Sequence, residues 1–270
     1  MGVNRSYYYY QPKAQLVDRD LRNKVTEIFN SSRKNYGTRK IKHKLAEQGY
    51  IVSRRRIGRI MQEQGLVSNY AKRSKHKPAS RSINESKVHN VLDRNFNRQE
   101  TLDVIVSDLT YVWAGEAWCY VCLIIDLWNR EIIGWSVGRH KDAELVHQAL
   151  LSIPYNLTKV NIFHTDRGKE FDNRIIDEAL QAFRIRRSLS NKGCPYDNAV
   201  NESTNKILKT EFIHQHNFHS LKELRTLLFD YIHWYNHVRI HSSLNYQTPV
   251  SVRNSEQNTS TSPILPVYVK

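Results

Sequence analysis

The chain has 270 residues, of which 40% are hydrophobic and 25% are charged, so it can bury one substantial core and a smaller domain. Its formal net charge of +15 indicates a polyanionic partner such as nucleic acid. No apolar run approaches the roughly 20 residues that span a bilayer, and the N-terminus lacks a signal-peptide stretch. These features exclude a membrane partner, and we expect a cytoplasmic protein.

The positive charge is concentrated at the N-terminal end. Residues 1–66 contain fifteen Lys and Arg and five Asp and Glu, whereas residues 91–250 contain eighteen and nineteen. The basic stretch that follows residue 66 has few large apolar residues, contains Pro78 and several serines, and is typical of a linker. The sequence therefore predicts a basic N-terminal domain (1–66), a basic linker (67–100), a larger domain with a C-terminal helix (101–250) and a mobile tail (251–270).

The first domain has the pattern of three helices. Apolar residues recur at near-helical spacing in QLVDRDLRNKVTEIF, Thr38 begins a second helix that Gly49 ends, and Ser53 caps a third that Gly65 ends. This is a helix-turn-helix pattern, whose last helix inserts its N-terminal part into the major groove of DNA. A solvated basic face is the alternative. We expect DNA contact from the four arginines that lie outside the apolar stripe of the third helix: Arg54, Arg55, Arg56 and Arg59.

From residue 102 the pattern changes to strands. The runs DVIVSDLTYVW, AWCYVCLIIDL and REIIGWSVG are rich in β-branched and aromatic residues and predict a three-stranded antiparallel meander. Helices and strands then alternate, which predicts an α/β layer. If the fourth strand, VNIFHTD, pairs with the first, Asp108 and Asp166 emerge side by side at one sheet end. Cys119 and Cys122 have CxxC spacing, but on a strand they point to opposite faces, which favours two buried thiols over a zinc site.

A third acidic residue lies on the helix predicted from DNAVNESTNKILKTEF. Asn198, Glu202, Lys206 and Lys209 are spaced four, four and three apart, so they share one helical face. We expect that face to bind both metal and the DNA backbone. An ordinary exposed ladder of Glu and Lys is the alternative.

Three carboxylates, on Asp108, Asp166 and Glu202, are the strongest candidates for a metal site. Hard cations such as Mg²⁺ bind one or two protein carboxylates together with phosphate oxygens and water. Three acidic groups therefore suffice for two cations when a phosphate polymer is the substrate. Two further residues are weaker candidates: Asp126 has a turn role as its alternative, and His164 is either a donor to the site or a satisfied edge histidine.

Five blocks resemble, in the same order, those of bacterial insertion-sequence transposases of the two-reading-frame type, specifically the downstream-frame product OrfB. These blocks are SDLTYV, LIIDLWNREIIGWSV, FHTDRGKEF, KGCPYDNAVNES and YNHVRIHSSLNYQTP. The resemblance covers almost the whole chain and includes YGTRKIKHKL and VSRRRIGRIMQEQGL in the helix-turn-helix segment. It implies a ribonuclease-H-like core related to retroviral integrase, in which Asp108, Asp166 and Glu202 are the DDE acids and bind two Mg²⁺ or Mn²⁺ ions. Lys209 occupies the basic position seven residues after the glutamate.

The resemblance also implies a function and a set of partners. We expect metal-dependent DNA strand cleavage and 3′-end strand transfer at the ends of an insertion sequence in the bacterial nucleoid. The expected partners are the terminal inverted repeats, target DNA, further copies of the chain and the upstream-frame product. The alternative is a catalytically inactive repressor that binds its own element. A nuclease that cuts RNA in hybrids shares the core but leaves the helix-turn-helix segment unexplained.

Overall fold

A computed structural model describes residues 13–71, 88–191 and 194–259 of the chain. The chain divides into two compact units, Met1–His76 and Lys77–Lys270. Among the described residues, no helix is long and apolar enough to cross a membrane.

The first unit contains the three predicted helices, α1 (Lys13–Ser31), α2 (Thr38–Glu47) and α3 (Arg54–Glu63). The Ser53 hydroxyl caps α3 by accepting the backbone N–H of Arg56 at 3.3 Å, as the sequence predicts. Gly49 and Gly65 follow the C-cap residues of α2 and α3 and have positive φ angles of 84° and 64°, the conformation that ends a helix at glycine. The small core of this unit is formed by buried apolar side chains, among them Leu21, Val25, Ile28, Phe29, Ile41, Leu45, Ile57 and Ile60.

The predicted linker, residues 67–100, is too long, because residues at both of its ends pack in the two units. Asn69 is buried, and its side-chain amide donates to the carbonyl of Arg33 and to Asn35 within the first unit. At the other end, Leu92 is 1% exposed in the core of the second unit, where the Ser188 hydroxyl accepts its backbone N–H. The low apolar content of the whole stretch gave no indication that Asn69 and Leu92 are buried. Residues 72–87 lie outside the described residues.

The second unit is built on a five-stranded sheet of order β3-β2-β1-β4-β5. The strands β1, β2 and β3 form the predicted antiparallel meander, and β1, β4 and β5 are parallel. The predicted pairing of the fourth strand with the first is therefore confirmed. The strands are β1 (Val104–Ala114), β2 (Ala117–Asp126), β3 (Ile132–Gly138), β4 (Ile162–Thr165) and β5 (Arg186–Leu189), and the helices are α4 (Ala143–Leu151), α5 (Arg174–Ala182), α6 (Ala199–Glu211), α7 (Leu221–His237) and α8 (Pro249–Thr259).

Each face of the sheet carries its own core. Leu145 of α4 and Leu180 of α5 are buried on one face, and Leu208 of α6 is buried on the other. Cys119 belongs to the second of these cores and Cys122 to the first, both with 0% exposure, so the prediction of two buried thiols on opposite faces is confirmed. The aromatic side chains of α7 also pack in the core: Tyr231, Trp234 and Tyr235.

The predicted mobile tail begins too early, because residues 251–259 continue the helix α8. Arg253 is buried, and its guanidinium contacts the carboxylates of Asp126 at 2.8 Å and Glu131 at 2.6 Å. Two buried acidic groups thus hold the helix against the sheet, a contact between residues too distant in the chain for composition to reveal. Because the Asp126 carboxylate is buried and paired with Arg253, we assign it a structural role and not that of a metal ligand. Residues 260–270 lie outside the described residues.

Candidate catalytic centre

The register of β1 and β4 places two of the predicted acids at the same level of the sheet. Val104 pairs with Ile162 and Val106 with His164. The same offset, continued two residues along both strands, sets Asp108 beside Asp166, the residue that directly follows β4. Neighbouring strands are about 4.8 Å apart, so the two backbones are close at this level.

Hydrogen bonds orient both carboxylates. Asp108 accepts the backbone N–H of Leu109 at 2.9 Å through Oδ1 and the side-chain amide of Asn205 at 2.8 Å through Oδ2. Asp166 accepts the backbone N–H of Gly168 at 3.0 Å. Donors of this kind fix carboxylate orientation around a metal site.

Two asparagines dock α6, the helix that carries Glu202, onto β1. The Asn201 amide donates to the carbonyl of Ser107 at 3.0 Å, and the Asn205 amide donates to Asp108. Glu202 lies between them on the first turn of the helix, and its side chain is exposed. The sequence pattern did not single out either asparagine, although their spacing of four residues places them on one helical face.

Asn198 does not share the exposed face that the sequence predicts. Its side chain is 9% exposed, and its carbonyl accepts the Asn201 amide at 2.6 Å. Because Asn198 precedes α6 as its N-cap residue, the helical spacing counted from it does not apply. Its side-chain oxygen therefore holds Asn201, which docks α6 onto β1.

The three acids do not form a closed cluster. Within the ranges that the structure describes, no group of three or more His, Cys, Asp and Glu side chains could hold a metal ion. The donors nevertheless fit a hard divalent cation, because Asp108 and Asp166 offer oriented oxygen ligands at one level of the sheet. Glu202 is three residues from Asn205, whose amide contacts Asp108, and residues at this helical spacing are neighbours.

A lysine and a fourth acid at this centre were not predicted. The Lys141 ammonium is 2.9 Å from Oε1 of Glu170, whose side chain is 6% exposed. Burial lowers the pKa of Lys141, but the hydrogen bond and charge of Glu170, with smaller contributions from Asp166 and Asp108, raise it above its usual value. Lys141 is therefore within electrostatic range of both aspartates. The only sequence signal was the position of Glu170, four residues after Asp166.

His164 connects the strand of Asp166 to the segment that enters α6. Its ring nitrogens contact the hydroxyl of Ser188 at 2.9 Å and the carbonyl of Asp197 at 3.0 Å. Burial lowers the pKa of His164 to about 4, so the ring is neutral at physiological pH. The Asp197 carboxylate in turn contacts Arg94 at 2.6 Å. Of the two predicted alternatives, the structure favours a satisfied histidine.

In the first unit, the arginines of α3 are all exposed. Arg56 contacts Asp18 at 2.8 Å, however, and that hydrogen bond lowers the pKa of Asp18. One of the four arginines predicted to contact DNA therefore already has an acidic partner, which the charge count of the domain did not indicate. An open concave site of about 490 Å³ lies where α2 and α3 begin, and it is lined by Thr38, Ser53, Arg54 and Arg55.

The two predicted lysines of α6 lie toward solvent. Lys206 is exposed, and the ammonium of Lys209 lies 5.3 Å from the centre of the Tyr111 ring. Tyr111 is itself half exposed on β1, as are Trp113 and, across the hairpin, Trp118.

Sequence comparisons identify the family. Two integrase core domain families match residues 98–195 and 183–249, and an HTH-like domain family matches residues 15–74. The transposase for insertion sequence element IS904 of Lactococcus lactis subsp. lactis (strain IL1403) is 31% identical over 245 residues, covering 88% of this chain and 96% of the relative. Transposase InsF for insertion sequence IS3A of Escherichia coli (strain K12) is 32% identical over 234 residues, covering 85% and 81%.

Among solved structures, the simian T-cell lymphotropic virus intasome in complex with PP2A regulatory subunit B56 gamma is similar at a TM-score of 0.49 and 16% identity, covering 85% of this chain and 73% of that chain. Family membership rests on the sequence matches, which confirm the predicted resemblance. The mixed α/β sheet and the HTH-like helices are the predicted fold, a ribonuclease-H-like core with an N-terminal all-α domain. The chain belongs to the insertion-sequence transposases with an integrase core domain, the family of InsF and the IS904 transposase.

Proposed function

We propose that the chain is a DDE transposase that cleaves DNA at the ends of its insertion sequence and transfers the 3′ ends to target DNA. Asp108, Asp166 and Glu202 are its catalytic residues and metal ligands. The observation that carries the proposal is the parallel register of β1 and β4, whose continuation sets Asp108 beside Asp166, together with the docking of α6 beside Asp108.

The carboxylates of this centre would hold two divalent cations, Mg²⁺ or Mn²⁺. Bound there, the cations would supply the activation of a water or a 3′-hydroxyl for attack on the scissile phosphate and the stabilisation of the departing oxygen. Asp108 and Asp166 provide oriented oxygen ligands, and Glu202 provides a third from α6. Asn205 holds one Asp108 oxygen in place, so the carboxylate needs little reorganisation to accept a cation.

The basic residues of both units provide the DNA contacts. Arg54 and Arg55 line the concave site at the start of α2 and α3, and helix N-termini are favourable sites for phosphate. Arg59 and, after release from Asp18, Arg56 extend this surface for the terminal inverted repeats. Lys206 and Lys209 bind the backbone near the cleaved phosphate, with an affinity that falls as salt rises.

The described structure supports domain boundaries that differ from those expected from composition. Residues 13–71 form the DNA-binding domain, and residues 88–191 and 194–259 form the catalytic core with its C-terminal helices. Two element ends must be joined to one target, so we propose that several copies of the chain assemble on DNA, alone or with the upstream-frame product.

The test compares the wild type with Asp108→Asn and Glu202→Gln on duplexes that carry the inverted repeats flanking the gene, with and without Mg²⁺. Both variants should bind the duplex and lose several orders of magnitude of cleavage and joining activity, because a ligand is lost. Asp230→Asn, on the exposed surface of α7, is the matched control and should remain active. Mg²⁺-dependent cleavage by Asp108→Asn would remove Asp108 from the site.

One observation favours the alternative of an inactive repressor: the described acids do not form a closed metal cluster. Under that alternative the wild type binds the repeats but neither nicks nor joins them at any concentration of Mg²⁺ or Mn²⁺. Cutting of the RNA strand in hybrids, without joining of DNA ends, would instead support a nuclease.

A further inference from the structure

The ion pair between Lys141 and Glu170 joins a solvent-exposed ammonium to a buried carboxylate. The Lys141 side chain is 48% exposed, whereas that of Glu170 is 6% exposed. A Cβ atom added to Gly168 would lie only 2.2 Å from Oε1 of Glu170, so the carboxylate packs directly against the turn that follows Asp166. Glu170 is therefore held in place, and it fixes the half-exposed ammonium.

The fold places this pair at the end of the sheet where the aspartates lie. Strand β3 runs in the same direction as β1 and β4, because β2 is antiparallel to both β1 and β3. Lys141 follows the end of β3, and Glu170 follows the end of β4. The negative charges of Asp166 and Asp108 also contribute to raising the pKa of Lys141.

We propose that Lys141 binds the phosphate that is cleaved, and that Glu170 is the positioning residue for Lys141. The inference rests on the proposed function and adds a residue to its substrate site. An ammonium has three N–H donors, and the bond to Glu170 uses one of them. The half-exposed side toward solvent can therefore donate to a phosphate oxygen, an interaction of the charge-assisted kind.

Charge balance supports this assignment. Two divalent cations carry four positive charges, and Asp108, Asp166 and Glu202 carry only three negative ones. A lysine beside such cations would be repelled unless further anions were present. Glu170 provides one and the scissile phosphate the other, so that five negative charges face the four charges of the cations and the one of Lys141.

The first experiment measures DNA binding without metal. Fluorescence anisotropy in EDTA gives the affinity of the full chain for a labelled duplex ending in the inverted repeat, between about 50 and 200 mM salt. Loss of one phosphate contact in Lys141→Gln should reduce the slope of log affinity against log salt by about 0.9, so the fall in affinity over this range becomes about three- to fourfold smaller. Lys159→Gln, an exposed lysine before the opposite end of β4, is the matched control and should keep the wild-type slope.

The second experiment locates the contact. A duplex with an uncharged methylphosphonate at the cleaved position should bind the wild type and Lys159→Gln more weakly than the natural duplex does. Lys141→Gln should bind the two duplexes equally, because its contact is already absent. The proposal is overturned if Lys141→Gln keeps the wild-type salt slope. It is also overturned if Lys141→Gln loses as much affinity as the wild type when the natural duplex is replaced by the methylphosphonate duplex.

Two further variants separate binding from folding. Lys141→Arg keeps the charge and should restore most of the salt slope. Glu170→Gln should reduce the penalty for the methylphosphonate, and a lower melting temperature with an unchanged penalty would show that Glu170 is only structural. None of these readouts needs metal, so a failure of Mg²⁺-dependent cleavage in the wild type would reject the proposed function and leave the phosphate contact to be judged by binding alone.

Discussion

Substitution of Arg253 by Met should strongly destabilise the second unit. Met has a comparable apolar stem, but it leaves the carboxylates of Asp126 and Glu131 buried without their guanidinium partner. Breaking a buried ion pair in this way costs about 3–5 kcal/mol. The Asp126 carboxylate still accepts hydrogen bonds from the backbone N–H groups of Leu102 and Trp128. We therefore expect the free energy of unfolding to fall by about 3 kcal/mol, the lower end of this range.

The destabilisation should depend on pH. Burial raises the pKa of Asp126, against the opposing effects of Trp128 and Arg253, and removal of Arg253 raises it further. A carboxyl with a raised pKa binds its proton more tightly in the folded state, so its contribution to stability is lost as pH rises through that pKa. The difference between variant and wild type should therefore be smallest near about pH 4 and grow toward pH 7.

Urea unfolding followed by tryptophan fluorescence measures this difference, because all five tryptophans lie in the second unit. Arg174→Met is the matched control: its ion pair with Glu178 is 89% and 60% exposed, so the change should stay within about 1 kcal/mol. If Arg253→Met were as stable as this control at neutral pH, α8 would not be anchored through Arg253.

Three other predictions concern single features. Ser53→Ala removes the cap of α3 and should lower the free energy of unfolding of the first unit by about 1 kcal/mol, measured by circular dichroism, with no change in tryptophan fluorescence. Leu208→Ala should destabilise the second unit by about 2–5 kcal/mol in urea, whereas Leu151→Ala, at a site 69% exposed, should have little effect; equal losses would contradict the assigned core. Burial raises the pKa of Cys122 to about 12, so a disulfide reagent should modify the partly exposed Cys194 in the native protein and reach Cys122 only on unfolding, even at mildly alkaline pH.

Much of the fold could be predicted because its signals are local or periodic. The β-branched runs give the meander, and the hydroxyl of Ser53 marks the start of α3. The alignment of Asp108 with Asp166 was predicted only on the condition that the fourth strand pairs with the first, and the structure has that pairing. The contacts of Arg253 and Lys141 could not be predicted, because an isolated charge in a sequence does not indicate which distant charge will meet it. Asn198 was misassigned because helical spacing was counted from a residue that precedes the helix.

The pairing of β1 with β4 fixes the separation of Asp108 and Asp166 across the sheet, while the chain between them makes an excursion through two strands and a helix. Loops in that excursion can gain or lose residues without moving either aspartate. A slip of one residue in the pairing, by contrast, would turn one carboxylate to the opposite surface. Evolution of this centre is therefore constrained by ladder alignment and tolerant of loop length, so a fixed gap between the two aspartates is a poor criterion for finding related enzymes.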